Sequence, residues 1–162
     1  MANSIGYRQA VREEDRDGVG RLVRSTGFFS KEECAIAVEL VDESLARGSA
    51  SGYFFLFAEE EKQLLGYTCF GPIPGSSHSF DLYWIVVDPR TQGQGLGRKL
   101  MAESERLMAE QGARRVYADT SSRDQYKPTR AFYLACEYVQ EAFLADFYAP
   151  DDGKVIFVKV LK

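Results

Sequence analysis

The stretch Asp88-Pro89-Arg90-Thr91-Gln92-Gly93-Gln94-Gly95-Leu96-Gly97-Arg98-Lys99 holds the residue pattern best suited to chemistry. The pattern predicts a strand that runs into glycines at positions 93, 95 and 97, with a helix opening directly behind them. Backbone N–H groups in such a turn lack intrahelical partners and stand at the positive end of the helix dipole. Glycine lets that backbone approach an anion closely and adopt positive φ. Arg98 and Lys99 add cations that the dipole opposes unless an anion binds there, so an anion is the expected ligand. A Walker A loop is excluded, because Gly97-Arg98-Lys99-Leu100 has no hydroxyl for magnesium. A dinucleotide fingerprint read from Gly93 would need glycine at 98, which is arginine, although Asp119 falls about where its ribose acid would stand.

Asp81 is the next candidate. Strand alternation puts Asp81, Tyr83, Ile85 and Val87 on one face and Phe80, Leu82, Trp84 and Val86 on the other. A carboxylate in so apolar a strand is costly unless paired or used, and burial would raise its pKa toward that of a useful base. Asp119, Glu33 and Tyr83 are rivals for that role. Gly75-Ser76-Ser77-His78-Ser79 invites a Ser–His hydrolase, but it lacks G-x-S-x-G, lies between strands and reads as a loop. Thr120-Ser121-Ser122 could donate hydrogen bonds to a substrate or simply make a turn. The acids Glu32, Glu33, Glu39, Asp42 and Glu43 read as a solvated helix face. Cys34 and Cys136 read as small core residues. Three widely spaced cysteines make neither a disulfide framework nor zinc knuckles, and a single histidine argues against a metal site.

These residues must be held by regular elements. A short strand is expected around Tyr7–Val11, then a helix from about Glu14 to Ser25 closed by Gly27. Ser30 with Glu33 is a capping-box pattern opening a second helix that runs to about Arg47, with Cys34, Val38, Val41 and Leu45 as its apolar face. Tyr53–Ala58 and Gln63–Phe70 read as a hairpin, and Phe80–Val87 as a strand buried on both faces. A helix from Gly97 to Gln111 carries a stripe of Leu100, Met101, Leu107 and Met108. Then come a strand at Arg115–Asp119, a helix from Pro128 to about Glu137, and strands at Gln140–Tyr148 and Lys154–Leu161. The order β-α-α-β-β-β-α-β-α-β-β implies a mixed α/β sheet in one domain over residues 1–162.

Gln92-Gly93-Gln94-Gly95-Leu96-Gly97 matches the Q/R-x-x-G-x-G/A signature of the GCN5-related N-acetyltransferase (GNAT) superfamily through Gln92, Gly95 and Gly97. Its setting, after a strand ending Val-Asp-Pro and before an amphipathic helix, is similar too. The Thr129–Tyr138 segment resembles the family's second conserved segment, with Tyr133 at its recurrent tyrosine. The chain departs from the pattern at Glu137-Tyr138, where Gly-Phe is common, and at Tyr126, where Asn is common. The first departure implies a helix that ends without a glycine cap; the second alters one usual coenzyme contact. The resemblance implies the GNAT fold, a mixed, mostly antiparallel sheet of about seven strands flanked by about four helices.

It further implies acetyl-CoA as co-substrate, with its pyrophosphate on Gln92, Gly93, Gln94, Gly95, Leu96, Gly97 and Arg98. The pantetheine would pair with the backbone of Ile85, Val86 and Val87. Tyr133 would protonate the leaving thiolate, a backbone N–H such as that of Val87 would face the oxyanion, and Asp81 would be the base, aligning by its distance from Gln92. The implied activity is direct acetyl transfer to a primary amine in a ternary complex. A non-catalytic acyl-CoA-binding module is the alternative, and a dinucleotide-dependent oxidoreductase the third reading.

Composition bounds the rest. The 162 residues are 45% hydrophobic and 27% charged, an ordinary globular balance. A net charge of −4 counts against a nucleic-acid partner. Apolar runs too short to span a bilayer, and an N-terminus with Arg8, Arg12, Glu13, Glu14 and Asp15, point to a cytoplasmic protein without membrane or metal. Amino acids, polyamines, aminoglycosides and protein N-termini all stay open as acceptors, and a homodimer stays open because family members are commonly dimers.

Overall fold

In the computed structural model, which describes residues 4–162, the chain alternates strands and helices in the expected order. The strands are β1 (Gly6–Arg8), β2 (Phe54–Glu60), β3 (Gln63–Pro72), β4 (Ser79–Val87), β5 (Arg115–Ser121), β6 (Val139–Ala149) and β7 (Asp152–Val160). The helices are α1 (Asp15–Ser25), α2 (Lys31–Arg47), α3 (Leu96–Glu110) and α4 (Lys127–Ala135). The seven strands make one sheet in the order β1-β2-β3-β4-β5-β7-β6. β4 and β5 pair in parallel, while β1–β2, β2–β3, β5–β7 and β6–β7 are antiparallel. This is the mixed α/β sheet expected.

Two compact units divide the chain, and the first comprises the residues through Gly71 together with Trp84–Ser104. Here α1 buries Val19, Leu22 and Val23 and stops at Gly27, whose φ is +65°. α2 opens on the expected capping box: the Ser30 hydroxyl accepts from the Glu33 N–H at 3.1 Å, and the Glu33 carboxylate accepts from the Ser30 N–H at 3.0 Å. Its buried residues are Cys34, Ala37, Val41 and Ser44, so the face is rotated away from Val38 and Leu45, toward small side chains that allow a close approach. β1 ends at Arg8, short of Val11, because the Arg8 guanidinium clasps both Asp15 carboxylate oxygens, at 2.8 and 2.9 Å, at the start of α1. β2 and β3 meet through Glu61 and Lys62, both at positive φ (+49° and +68°), which suits a two-residue hairpin turn. At Gly66 a Cβ would lie 2.9 Å from the Val86 carbonyl oxygen and 3.0 Å from Leu100, so only glycine lets β3 sit this close.

The second unit comprises Pro72–Tyr83 and Glu105–Lys162. β5 pairs with β7 along its whole length, from Arg115↔Val160 to Ser121↔Lys154. With β4 it pairs over only Ser79↔Arg115, Phe80↔Val116 and Asp81↔Tyr117. The Glu105 carboxylate accepts from the Tyr138 hydroxyl and from Lys159 Nζ, both at 2.9 Å. α4 ends at Ala135, and Glu137 follows at φ +70°, the left-handed position glycine often fills, so the helix does end without a glycine cap.

One expectation is corrected. β4 is not buried on both faces: Phe80, Leu82 and Val86 are buried, whereas Asp81, Tyr83, Ile85 and Val87 are half-buried. A hydrophobic run does not say which side is covered, and Asp81 could not be sealed in apolar surroundings without a partner.

Candidate active site

The glycine turn is built by the residues in front of it. Asp88, 5% exposed, accepts the Arg90 backbone N–H at 2.8 Å and the Arg90 guanidinium at 2.7 and 3.1 Å. These bonds hold its carboxyl below the ordinary aspartate value. The Thr91 N–H and hydroxyl both donate to the Asp88 carbonyl, at 2.9 and 3.0 Å, and the Gln92 amide donates to the Val87 carbonyl at 3.3 Å. Gly93 and Gly95 then take φ of +81° and +82°. Gln92, Gly93, Gln94 and Gly95 are exposed, as are Arg98 and Lys99, while Leu96 points into the core and offers only its backbone. α3 has no acid in its first turn. Backbone N–H groups at a helix start, left-handed glycines and two exposed cations fit an anion such as a pyrophosphate. Sequence patterning missed the Asp88–Arg90 clasp; the Asp-Pro punctuation was its available signal.

A second constellation lies in the other unit. Asp81 is half-buried, and its carboxyl is pushed up to about 6, first by burial, then by the charge of Asp119, against the pull of Lys154. Lys154 Nζ is 3.1 Å from the Asp119 carboxylate and 4.5 Å from the centre of the Phe147 ring. Tyr133 is buried, with its ring tilted against Phe157 at 5.4 Å and Tyr138 at 5.8 Å. Burial, then the Asp119 charge and Cys136, push its phenol well above the ordinary tyrosine value and hold it protonated. Asp81, Asp119 and Tyr133, named separately from the sequence, are thus linked through Asp119; Lys154 was not foreseen.

Several other candidates are occupied. Glu33 serves its capping box. His78 Nδ1 is 3.0 Å from the Gly112 carbonyl oxygen, and the Ser76 hydroxyl donates to the Ile73 carbonyl at 2.7 Å, so the Ser–His stretch is a structured loop. The Ser121 hydroxyl bonds Asp152, and the Ser122 hydroxyl accepts the Gly153 N–H at 2.8 Å. Cys34 is buried and Cys136 half-buried. Among the described residues no His, Cys, Asp and Glu side chains group as metal ligands, and no helix is long and apolar enough to cross a membrane.

Residues 19–138 match the acetyltransferase (GNAT) family. The chain belongs to that family. A GNAT-family protein from Desulfovibrio desulfuricans is 43% identical and superposes with a TM-score of 0.96, covering 97% of this chain and 99% of that one. PaiA N-acetyltransferase from Thermoplasma acidophilum, solved in complex with coenzyme A, is 19% identical, with a TM-score of 0.75 over 98% of this chain and 99% of its own, and so shares the fold. In sequence, mycothiol acetyltransferase of Amycolatopsis mediterranei is 31% identical over 124 residues, which are 72% of this chain and 40% of that protein. This GNAT chain therefore spans well under half the length of that relative.

Proposed function

We propose that this GNAT chain transfers the acetyl group of acetyl-CoA to a primary amine within a ternary complex. The observation that carries the reading is the grouping around Asp119 of a carboxyl poised near neutrality, Asp81, and a phenol held protonated, Tyr133. Acetyl transfer needs one group that takes a proton and one that gives one, and pKa values driven apart by their surroundings supply both. The solved coenzyme A complex of a protein sharing the fold supports the cofactor, as does the fit of Gln92–Arg98 to a pyrophosphate.

Acetyl-CoA, when bound, supplies a thioester carbon open to attack and a thiolate leaving group. Gln92, Gly93, Gln94, Gly95, Leu96, Gly97 and Arg98 hold its pyrophosphate, and the backbone of Ile85, Val86 and Val87 holds the pantetheine by strand addition. Asp81 takes the proton of the acceptor ammonium through a water, since aspartate is one methylene shorter than glutamate. As the C–N bond forms and the C–S bond breaks, Tyr133 gives its phenolic proton to sulfur. The new amide nitrogen then sheds its second proton, which restores Tyr133 through solvent, and Asp81 releases the first to solvent, so of the two protons the ammonium loses one ends on the thiol and one in water. A backbone N–H of β4 faces the oxyanion.

The test is to measure acetyl-CoA binding and amine acetylation side by side in the wild type and in Tyr133→Phe, across amino acids, polyamines, aminoglycosides and N-terminal peptides. Turnover that falls on the order of 10²–10⁴-fold at unchanged acetyl-CoA affinity is expected. A wild type that binds acetyl-CoA and acetylates none of these amines would make the chain a binding module instead.

A further inference from the structure

We propose that Asp119 and Lys154 are positioning residues for Asp81: Asp119 sets a second negative charge beside it that favours uptake of the acceptor's proton, and Lys154 holds the Asp119 carboxylate in place. The inference rests on the proposed role of Asp81 as base. Its geometric basis is sheet register. Asp81 stands opposite Tyr117 where β4 and β5 pair, and Asp119 is two residues on, on the same face of β5. Beyond Asp119, β5 continues to Ser121, whose partner on β7 is Lys154. Lys154 reaches back along that face to the Asp119 carboxylate at 3.1 Å. Its aliphatic stem and ammonium are further confined by the Phe147 ring of β6.

Three elements therefore converge on one strand position. The charges acting on Asp81 are Asp119 from β5 and Lys154 from β7, of opposite sign. Tyr83 on its own strand, Tyr117 opposite it and Arg115 at the start of β5 also share this face, with Tyr133 from α4 sharing the influence of Asp119. Burial is the largest influence on Asp81, so neither charge creates the base; each adjusts where it titrates. Asp119 is suited to this because its side chain, 37% exposed, is held by the Lys154 ammonium on the face it shares with Asp81.

The expected signature is a pair of opposite shifts. Removing the Asp119 charge should let Asp81 ionise at lower pH, and removing the Lys154 charge should push its ionisation to higher pH. A role confined to holding strands together predicts neither. The test is a carbon-detected NMR titration of the aspartate side-chain carboxyls in the full chain, with Asp81 assigned by its loss in Asp81→Asn. The wild type is compared with Asp119→Asn, Lys154→Met and the charge-retaining control Lys154→Arg. Shifts of about half a pH unit or more, downward in Asp119→Asn and upward in Lys154→Met, with Lys154→Arg close to wild type, are the expected result. An unmoved midpoint, or two shifts in the same direction, overturns the proposal. The pH profile of kcat/KM with acetyl-CoA and the acceptor returned by the amine screen keeps the two readings apart. If Asp81→Asn retains the acidic limb while the NMR shifts occur as expected, the base assignment falls and the electrostatic coupling stands. If the limb vanishes and the NMR midpoints do not move, the base assignment stands and the positioning pair falls.

Discussion

The Asp88 carboxylate accepts the Arg90 backbone N–H at 2.8 Å, and this bond fixes the direction in which β4 delivers the chain into the glycine turn. Both neighbours of that bond are also tied. The Asp88 N–H donates to the Leu65 carbonyl on β3 at 2.7 Å, and the Asp88 carbonyl accepts from Thr91. The exposed turn at Gly93 and Gly95 thus begins from an anchored residue, as a preformed anion site requires.

Replacing Asp88 by alanine should therefore injure binding as well as folding. A hydrogen-bonded charge of this kind is worth about 1–2 kcal/mol, so the melting temperature should fall by a few degrees. Acetyl-CoA affinity, measured by calorimetry, should drop roughly tenfold, as it would for 1.4 kcal/mol of lost preorganisation. An Asp88→Ala protein that loses stability and keeps its affinity would mean the clasp does not shape the turn.

Asp81 carries a stability cost. Its folded carboxyl titrates at about 6 against 3.8 for the free side chain, so between those values the native state binds more protons than the unfolded chain. Stability must then fall as pH rises from 4 to 6, the reverse of an ion-paired aspartate. Asp81→Asn should be more stable than wild type at pH 8 by about 1 kcal/mol, after discounting for solvent around a half-buried group, and no more stable at pH 4. Urea titrations at the two pH values read this directly, and a difference that does not change with pH would remove the case for a perturbed carboxyl.

Gly66 is a different kind of constraint. Its missing Cβ leaves room for the Val86 carbonyl and for Leu100, and neither backbone oxygen nor a fully buried leucine can give way cheaply. Gly66→Ala should lose about 1–3 kcal/mol, the usual range for overpacking, with no change in the pH dependence of activity.

The order of elements was legible because its punctuation is local. Gly27, read from the sequence as a stop, stands at positive φ just past α1, and Gly48 and Gly112 stand likewise just past α2 and α3. Ser30 and Glu33 are three residues apart and cap each other as their types require. The glycine turn before α3 was legible for the same reason. What the sequence did not reveal is long-range or depends on cover. Lys154 meets Asp119 only because β7 pairs with β5, and Arg8 meets Glu59 only because β1 pairs with β2. Alternation along β4 separated its two faces except at Trp84, which is half-buried although it alternates with Phe80, Leu82 and Val86, and period alone does not say that the Asp81 face would be left half-open.

Glu137 offers a last test, in which two small effects oppose each other. It holds φ at +70° just after α4, a conformation that costs a non-glycine residue about 1 kcal/mol. Its carboxylate lies 3.9 Å from Lys159 Nζ, but its side chain is 86% exposed, and such surface pairs contribute about 0–0.5 kcal/mol. Lys159 also keeps its better partner, Glu105 at 2.9 Å. The backbone effect should win, less the extra freedom glycine gains in the unfolded chain. Glu137→Gly is expected to be more stable by about 0.5 kcal/mol in urea, with turnover unchanged. Glu137→Ala keeps the strain and loses the pair, so it should be slightly less stable than wild type. If both variants are destabilised equally, the ion pair outweighs the backbone, and the left-handed residue after α4 is not under strain.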